Sequence, residues 1–264
     1  MKLLSVALVL SLLPAQDKIT IKFNPQKGDK LSRAQKMEMS IKAKVTVGEQ
    51  EQDVEMEQKE TQKSTLELAD VASGAVTRMV MTCSEHVEER KGPPTQEWVK
   101  KQKELHGRTI TLSLKDGKVE REGVEGLDDK ALSKLDLDDR SSRLFPKGPV
   151  ATGDTWEIQG DDVRKFLAAD NDLQQANVKV KLLSVKEIDG KKCAVLNALM
   201  DLGGKAQGNV DLTMKLDAEI VVWLDRGYAL SVKAKGTIDM KADNPQFKMK
   251  GEGPMSLEIV SKPE

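Results

Sequence analysis

Residues 210–224 read VDLTMKLDAEIVVWL, and residues 228–241 read YALSVKAKGTIDMK. In both runs apolar side chains alternate with polar or charged ones, which is the period of a β-strand with one buried face. The turn residues Asp225, Arg226 and Gly227 separate the two runs and predict a long antiparallel hairpin. Because so much apolar surface cannot remain in water, we expect the rest of the chain to extend the sheet and cover that face.

Strand patterns recur on both sides of this hairpin. Residues 36–47 alternate in the same way, and a turn near Gly48 predicts a strand that returns beside them. On the returning strand, the polar side chains from Gln58 to Ser64 occupy the phase of the apolar face. We therefore expect that strand to leave the dry core midway and to be solvated on both sides. Further strands are predicted over residues 178–202 and 247–260.

The middle of the chain has a different pattern. Near-helical spacing of apolar residues predicts short helices over residues 98–105 and 127–137, and a third helix that is capped by Asp161 or Asp162 and contains Val163, Phe166 and Leu167. We predict a mainly β fold, with one large, strongly curved antiparallel sheet that resembles a half-barrel. Two or three short helices from the middle of the chain, with a helical insertion at about 124–170, are expected to cover its concave face.

The first residues predict export from the cytoplasm. Lys2 precedes an apolar block, and a small residue at Ala15 precedes the charged Asp17, which is typical of a secretory signal peptide over residues 1–16. The block is shorter than the roughly 20 apolar residues that span a bilayer. We expect residues 17–264 to form a single β-rich domain that is soluble, secreted or periplasmic, monomeric and without a membrane span.

Two short phrases carry a resemblance to a known family. They are LFPKGPVATGDTW at residues 144–156 and DGKKCA at residues 189–194. In these phrases the chain resembles an uncharacterised family of secreted bacterial domains, a domain of unknown function. Its strand layout also resembles the half-barrel carriers of lipoproteins and lipids in bacterial envelopes. The second resemblance implies a lipid-binding architecture, although a fold alone does not imply a function.

Composition and motifs argue against several classes of protein. The 42 basic and 43 acidic residues show no basic patch, and aromatic residues make up 3% of the chain, so we expect no nucleic-acid partner. The two histidines, His86 and His106, lack neighbours at metal-site or hydrolase spacing, and we expect both on the surface. Hydrolase, metalloprotease, nucleotide-loop and dinucleotide motifs do not occur. We therefore predict no catalytic residue, no metal site and no cofactor.

Methionine is the distinctive residue of the predicted inner faces. Methionine side chains are flexible and polarizable, so they can repack around acyl chains, although they also serve as ordinary core filler. Copper(I) would suit thioethers, but no histidine or cysteine cluster supports such a site. The predicted ligand-lining residues are Met37, Met39, Ile41, Met56, Met79, Met81, Met214, Leu216, Val232 and Met240.

These features predict a non-enzymatic protein that binds a lipid or another apolar ligand on a concave sheet face. One alternative is a structural or protein-interaction domain of the envelope with a solid core and a protein partner. A third is a hydrolase with an unrecognised carboxylate site, since carboxylate partners meet only in the fold.

The two cysteines leave two alternatives open. Cys83 and Cys193 lie in separate predicted strands of an exported protein, so a disulfide would be chemically permitted. Both also follow the buried phase of their strands, as small apolar residues would. We favour two buried thiols, because a domain of this size has enough core without a crosslink.

Overall fold

The computed structural model describes residues 17–93, 95–128, 131–132, 135–137, 140–167, 173–206, 210–243 and 248–264. The predicted signal peptide lies outside these residues. Within them the chain is mainly β, as predicted. The strands are β1 Lys30–Val47, β2 Gln50–Ala72, β3 Ala75–Lys91, β4 Trp98–Gln102, β5 Arg108–Lys115, β6 Lys118–Glu122, β7 Thr155–Gln159, β8 Leu173–Ile188, β9 Lys191–Ala206, β10 Val210–Trp223, β11 Tyr228–Asp243 and β12 Lys248–Pro263.

The described strands form one open antiparallel sheet of twelve strands. Its order is β6-β5-β3-β2-β1-β12-β11-β10-β9-β8-β7, and β4 pairs with the part of β3 that β5 leaves uncovered. Neighbours in this order are also neighbours in the chain, except where β1 joins β12 and where β3 joins β5. The pairing of β1 with β12 therefore links an N-terminal and a C-terminal meander into a single sheet.

The long hairpin is confirmed in position, and its phase is confirmed up to a bulge at Val221 and Val222, beyond which Val222 faces Ala229 instead of Leu230. Strand β10 pairs with β11 so that Ala218 faces Ala234 on one side, and both are buried. The neighbouring pair of Glu219 with Lys233 lies on the opposite, exposed face. We refer to the face of Ala218, which carries the buried side chains, as the inner face of the sheet.

Two glycines mark positions where neighbouring strands approach each other closely. A Cβ atom at Gly236 would overlap the carbonyl oxygen of Lys215, and a Cβ atom at Gly253 would overlap the carbonyl oxygen of Ser40. Glycine within a strand is typical of a tight bend or of a close approach by another backbone. The absence of a side chain at these positions therefore lets β11 approach β10 closely, and lets β12 approach β1 closely.

The prediction of two or three helices is wrong for the described residues. They contain one short α-helix with described bounds, α1 at Asp161–Leu167, a short 3-10 helix at Arg140–Leu144, and two helical residues, Ala131 and Leu132, within the predicted helix over residues 127–137. Helix α1 begins at the predicted cap. The predicted helix over residues 98–105 is replaced by β4, because the open edge of β3 supplies backbone partners for an extended segment. The predicted helix over residues 127–137 falls partly outside the described residues.

Two core clusters fill the inner face where other segments cover it. The first cluster lies on β8 to β11 and is covered by Leu144, Phe145 and Phe166 from the 3-10 helix, its following loop and α1. The second lies on β1, β3 and β5 and includes Leu105 and Leu135 from connecting segments. Both clusters are therefore closed by parts of the chain that lie outside the large meanders.

The N-terminal segment is tied to the sheet beside these clusters. Ile19 forms an isolated antiparallel bridge with Val150, and Ile21 is buried in the first cluster. The Tyr228 hydroxyl donates a hydrogen bond of 2.6 Å to the Asp29 carboxylate. This contact fixes the start of β1 against the turn of the long hairpin.

The cysteines are two separate buried thiols. Cys83 on β3 faces Ser64 and Arg108, whereas Cys193 on β9 faces Trp223 and Lys186. Burial raises the pKa of both thiols above the usual range. The Cys83 thiol also lies 3.3 Å from the carbonyl oxygen of Glu85, to which it donates a weak hydrogen bond.

Among the described residues, no helix has the length and apolar character needed to span a bilayer.

Candidate functional site

A third apolar cluster occupies the other end of the inner face. Its buried residues are Ile41, Ala43 and Ile238, which lie on β1 and β11. The apolar side chains around them are only partly buried: Met39, Val45, Met56, Leu212, Met214, Met240 and Met249. We name these ten residues the methionine cluster.

The methionine cluster differs from the other two in what covers it. All ten residues belong to β1, β2, β10, β11 or β12, so within the described part of the chain the cluster is formed by the sheet alone. Neither the 3-10 helix nor α1 contributes a residue to it. Partly exposed apolar side chains therefore line this end of the inner face.

A cleft opens beside the methionine cluster. It has a volume of about 730 Å³ and is lined by Ala43, Val54 and Gly251 together with Gln96 from the β3–β4 connection. Small-molecule sites commonly have volumes of roughly 300 to 1,000 Å³. Its other lining residues carry charges of both signs and, by strand alternation, lie on the outer face of the sheet: Lys42, Lys44, Asp53, Glu55, Lys250 and Glu252.

A group of polar side chains continues the same face along β2 and β3. Glu60 accepts a hydrogen bond of 3.0 Å from the Nε2 atom of His86, and His86 is 7% exposed. Glu88, which is 4% exposed, accepts a hydrogen bond of 2.6 Å from the Gln58 amide. Together with Arg90 and Lys103, which form ion pairs with Glu88, these residues are the polar cluster.

A β-bulge brings the polar cluster together. Strand β3 has one extra residue at Ser84, because Ser64 faces Cys83 whereas Lys63 faces Glu85. The extra residue reverses the alternation beyond it, so His86 and Glu88 lie on the inner face with Cys83. Strict alternation would have placed both on the outer face.

The surroundings of His86 leave one polar atom without a partner. Its backbone N–H donates to the Nδ1 atom of His106 at 3.2 Å, and its carbonyl oxygen accepts a hydrogen bond from the backbone of Lys103. The Nδ1 atom of the His86 ring is buried and has no hydrogen-bond partner among the described residues. The prediction that His86 lies on the surface is therefore wrong, because the bulge turns it inward.

The structure separates the predicted ligand-lining residues into groups. Met39, Ile41, Met56, Met214 and Met240 lie together in the methionine cluster. The other five lie elsewhere on the sheet: Met37 faces Glu60 across β1 and β2, Met79 and Met81 belong to the second core cluster, and Leu216 and Val232 pack against the first.

The residues that sequence reasoning missed are His86, Glu88 and Lys103. One signal pointed toward them, namely the polar run from Gln58 to Ser64 in the apolar phase of β2. The run marks a polar region of the inner face, but its partners depend on the bulge in β3 and on the extended conformation of β4. In the described part of the chain, no group of three or more His, Cys, Asp or Glu residues could hold a metal ion.

No protein-family model matches the chain, and no curated protein matches it in sequence. Among solved structures, the chain is similar to lipovitellin, described for its lipid–protein interactions, with 10% identity over 90% of this chain and a TM-score of 0.48. The chain spans 25% of the length of lipovitellin.

Two further similar structures match most of both chains. DynF from the dynemicin biosynthesis pathway of Micromonospora chersina is 9% identical over 98% of this chain and 92% of DynF, with a TM-score of 0.19. A DUF1329 family protein from Desulfovibrio piger is 10% identical over 86% of this chain and 83% of its own, with a TM-score of 0.16. These three similarities have TM-scores below 0.5 and carry no information about function.

Proposed function

We propose that the protein is a non-enzymatic binding protein that holds the hydrocarbon part of a lipid against the methionine cluster. The observation that carries this proposal is that seven apolar side chains, five of them methionines, remain partly exposed on an inner face that is covered elsewhere. Burying such side chains is favourable by about 25 cal/mol for each Å² of apolar surface removed from water.

The methionine side chains suit a hydrocarbon ligand in particular. Met56 on β2, Met39 on β1 and Met214 on β10 present unbranched thioethers from three different strands. Such side chains change shape at low cost, so they can pack against chains that lack a fixed outline.

The experiment that tests this function measures the binding of a neutral long-chain alcohol. Purified protein would be titrated with the alcohol in competition with an apolar fluorescent dye. Met56→Gln and Met240→Gln should each weaken binding, because each replaces an apolar contact by an amide of similar length. The matched control is Met79→Gln, which alters a partly buried methionine of the second core cluster.

The result expected is displacement of the dye by the alcohol, with weaker binding by the two cluster variants and unchanged binding by the control. Thermal melts of all three variants would show that each remains folded. Absence of binding by the folded wild-type protein would rule out the proposed function. Equal loss in the control would show that binding occurs away from the methionine cluster.

A further inference from the structure

Two cationic side chains of the polar cluster, Arg90 and Lys103, have more hydrogen-bond donors than the Glu88 carboxylate uses. The Nη2 atom of Arg90 lies 2.6 Å from an Oε atom of Glu88, and the Nζ atom of Lys103 lies 3.6 Å from the other. The side chain of Arg90 is 63% exposed and that of Lys103 is 25% exposed. A guanidinium has five N–H donors and an ammonium has three, so both retain donors that another acceptor could use.

Positive charges outnumber negative charges on the inner face around the polar cluster. Alternation and pairing place four cations on the inner face of β1 to β4 and just after β4, against the carboxylates of Glu60 and Glu88. The inner positions of β10 from Leu212 to Ile220 are all apolar. Among these strands, the positive charges of the described inner face therefore lie on the β1 to β4 side. The four cations are Arg33, Arg90, Lys101 and Lys103.

The polar cluster and the methionine cluster lie one after the other along the direction of the strands. Six residues of β2 separate Glu60, which faces Glu88, from Val54, which faces Ala43 of the methionine cluster. At a rise of about 3.3 Å per residue this is roughly 20 Å. The distance is similar to the length of an extended long-chain acyl group. Between the two ends, Val99 on β4 is 61% exposed beside Arg90.

The buried His86 ring is a second, independent sign of an incomplete polar network. Its Nδ1 atom is buried without a partner among the described residues, although its Nε2 atom contacts Glu60. A buried polar atom without a hydrogen bond costs about 1 to 3 kcal/mol.

We propose that the ligand is an anionic amphiphile whose single negative head group is bound by Lys103 and Arg90. Its hydrocarbon chain runs from there along β1 and β2 to the methionine cluster. The simplest ligand of this kind is a long-chain carboxylate, and a monoalkyl phosphate shares the same chemistry. This inference rests on the proposed function, since it assigns a head group to the lipid bound there.

The test compares three ligands that have the same sixteen-carbon chain and differ only in the head group. Hexadecanoate, monohexadecyl phosphate and hexadecanol would be titrated below their aggregation concentrations against the wild-type protein, with dye displacement as the readout. The anionic ligands should bind at least about tenfold more tightly than the alcohol, which corresponds to about 1.4 kcal/mol. The stronger of the two anions identifies the head group as carboxylate or phosphate.

Two lysine variants locate the head-group site. Lys103→Gln should remove most of the preference for the anion while leaving the affinity for hexadecanol unchanged. Lys100→Gln is the matched control. Lys100 lies on β4, three residues before Lys103, where it faces outward and pairs with Glu89. The control should retain the full preference.

The outcomes separate this inference from the proposed function. Equal binding of alcohol and anions by the wild type would overturn the anionic head group and leave the proposed function standing. Absence of binding by all three ligands would overturn both. If Lys103→Gln weakened alcohol and anion equally, Lys103 would have a structural role, and the head-group assignment would also be overturned.

Discussion

Glu60 and Glu88 face each other directly across β2 and β3, with both carboxylates on the inner face of the sheet. Like charges at directly opposed positions destabilise a sheet. Here each carboxylate has its own polar neighbours, since Glu60 contacts His86, and Glu88 contacts Gln58, Arg90 and Lys103. The polar cluster is therefore a connected network whose stability depends on its carboxylates.

We expect Glu88→Ala to lower the free energy of unfolding by about 1 to 3 kcal/mol, because the Gln58 amide and Lys103 would lose a buried acceptor. The control is Glu89→Ala, which removes the neighbouring carboxylate from the opposite, partly exposed face. It should stay within about 0.5 kcal/mol of the wild type. Urea unfolding of both variants measures the difference, and equal losses would contradict a special role for Glu88.

A charge on the buried phase of the long hairpin should unfold the protein. Ile220 is 1% exposed in the first core cluster, so Ile220→Asp would bury a carboxylate without a partner. The cost is several kcal/mol, against a total stability of about 5 to 15 kcal/mol. Leu216→Asp and Val232→Asp should have smaller effects, because these two side chains are only partly buried.

The control for the hairpin is Lys215→Asp, which changes an exposed position next to Leu216 on β10. Its circular dichroism spectrum and melting temperature should remain close to those of the wild type. A similar loss for Lys215→Asp and Ile220→Asp would mean that the strand phase is assigned incorrectly.

The close approach of β12 to β1 should leave no room for a side chain at Gly253. Gly253→Ala would place a Cβ atom on the carbonyl oxygen of Ser40, so the two strands would have to move apart. We expect the free energy of unfolding to fall by about 1 to 3 kcal/mol, as in other overpacked sites. Gly148→Ala is the matched control, since a Cβ atom there has no neighbour within 4 Å. Thermal denaturation that ranked the two variants equally would contradict the close approach of β1 and β12.

The thiols predict a specific pH dependence of stability. Burial raises the pKa of Cys83 and Cys193 in the folded protein, whereas an unfolded cysteine has a pKa of about 8.5. Above that pH the unfolded state loses protons that the folded state retains, so the thiols lower the free energy of unfolding as pH rises. Their stabilising contribution is complete below about pH 8.5 and is lost progressively toward the raised pKa values.

The measurement compares the wild type with the double variant Cys83→Ala and Cys193→Ala in urea at several pH values. The wild type should lose stability relative to the variant above about pH 8.5. Native protein should also react slowly with an alkylating reagent, and denatured, unreduced protein should take up two labels. Recovery of no label after denaturation would instead demonstrate a disulfide.

The local sequence pattern was sufficient to predict a strand and its buried face where apolar and polar residues alternate regularly along the strand. The phase of β10 follows from the sequence because Leu216, Ala218 and Ile220 alternate with charged residues, and a period of two permits only one assignment of faces. The expected cap at Asp161 or Asp162 likewise predicts the start of α1, since capping depends on residues within one turn. The clustering of Met39 with Met214 could not be predicted from local pattern, because these residues belong to opposite halves of the chain.

The sequence by itself therefore determined the mainly β character, the long hairpin and the apolar phase of β1 and β10, since these depend on neighbouring residues within a strand. Only the tertiary structure decided that residues 98–102 form β4 and that Ser84 bulges, because both depend on hydrogen bonds to another strand. The bulge turns His86 and Glu88 toward Glu60, and the pairing of β1 with β12 brings the methionines of both meanders together. Such contacts join residues far apart in the chain, and a local periodicity carries no information about them.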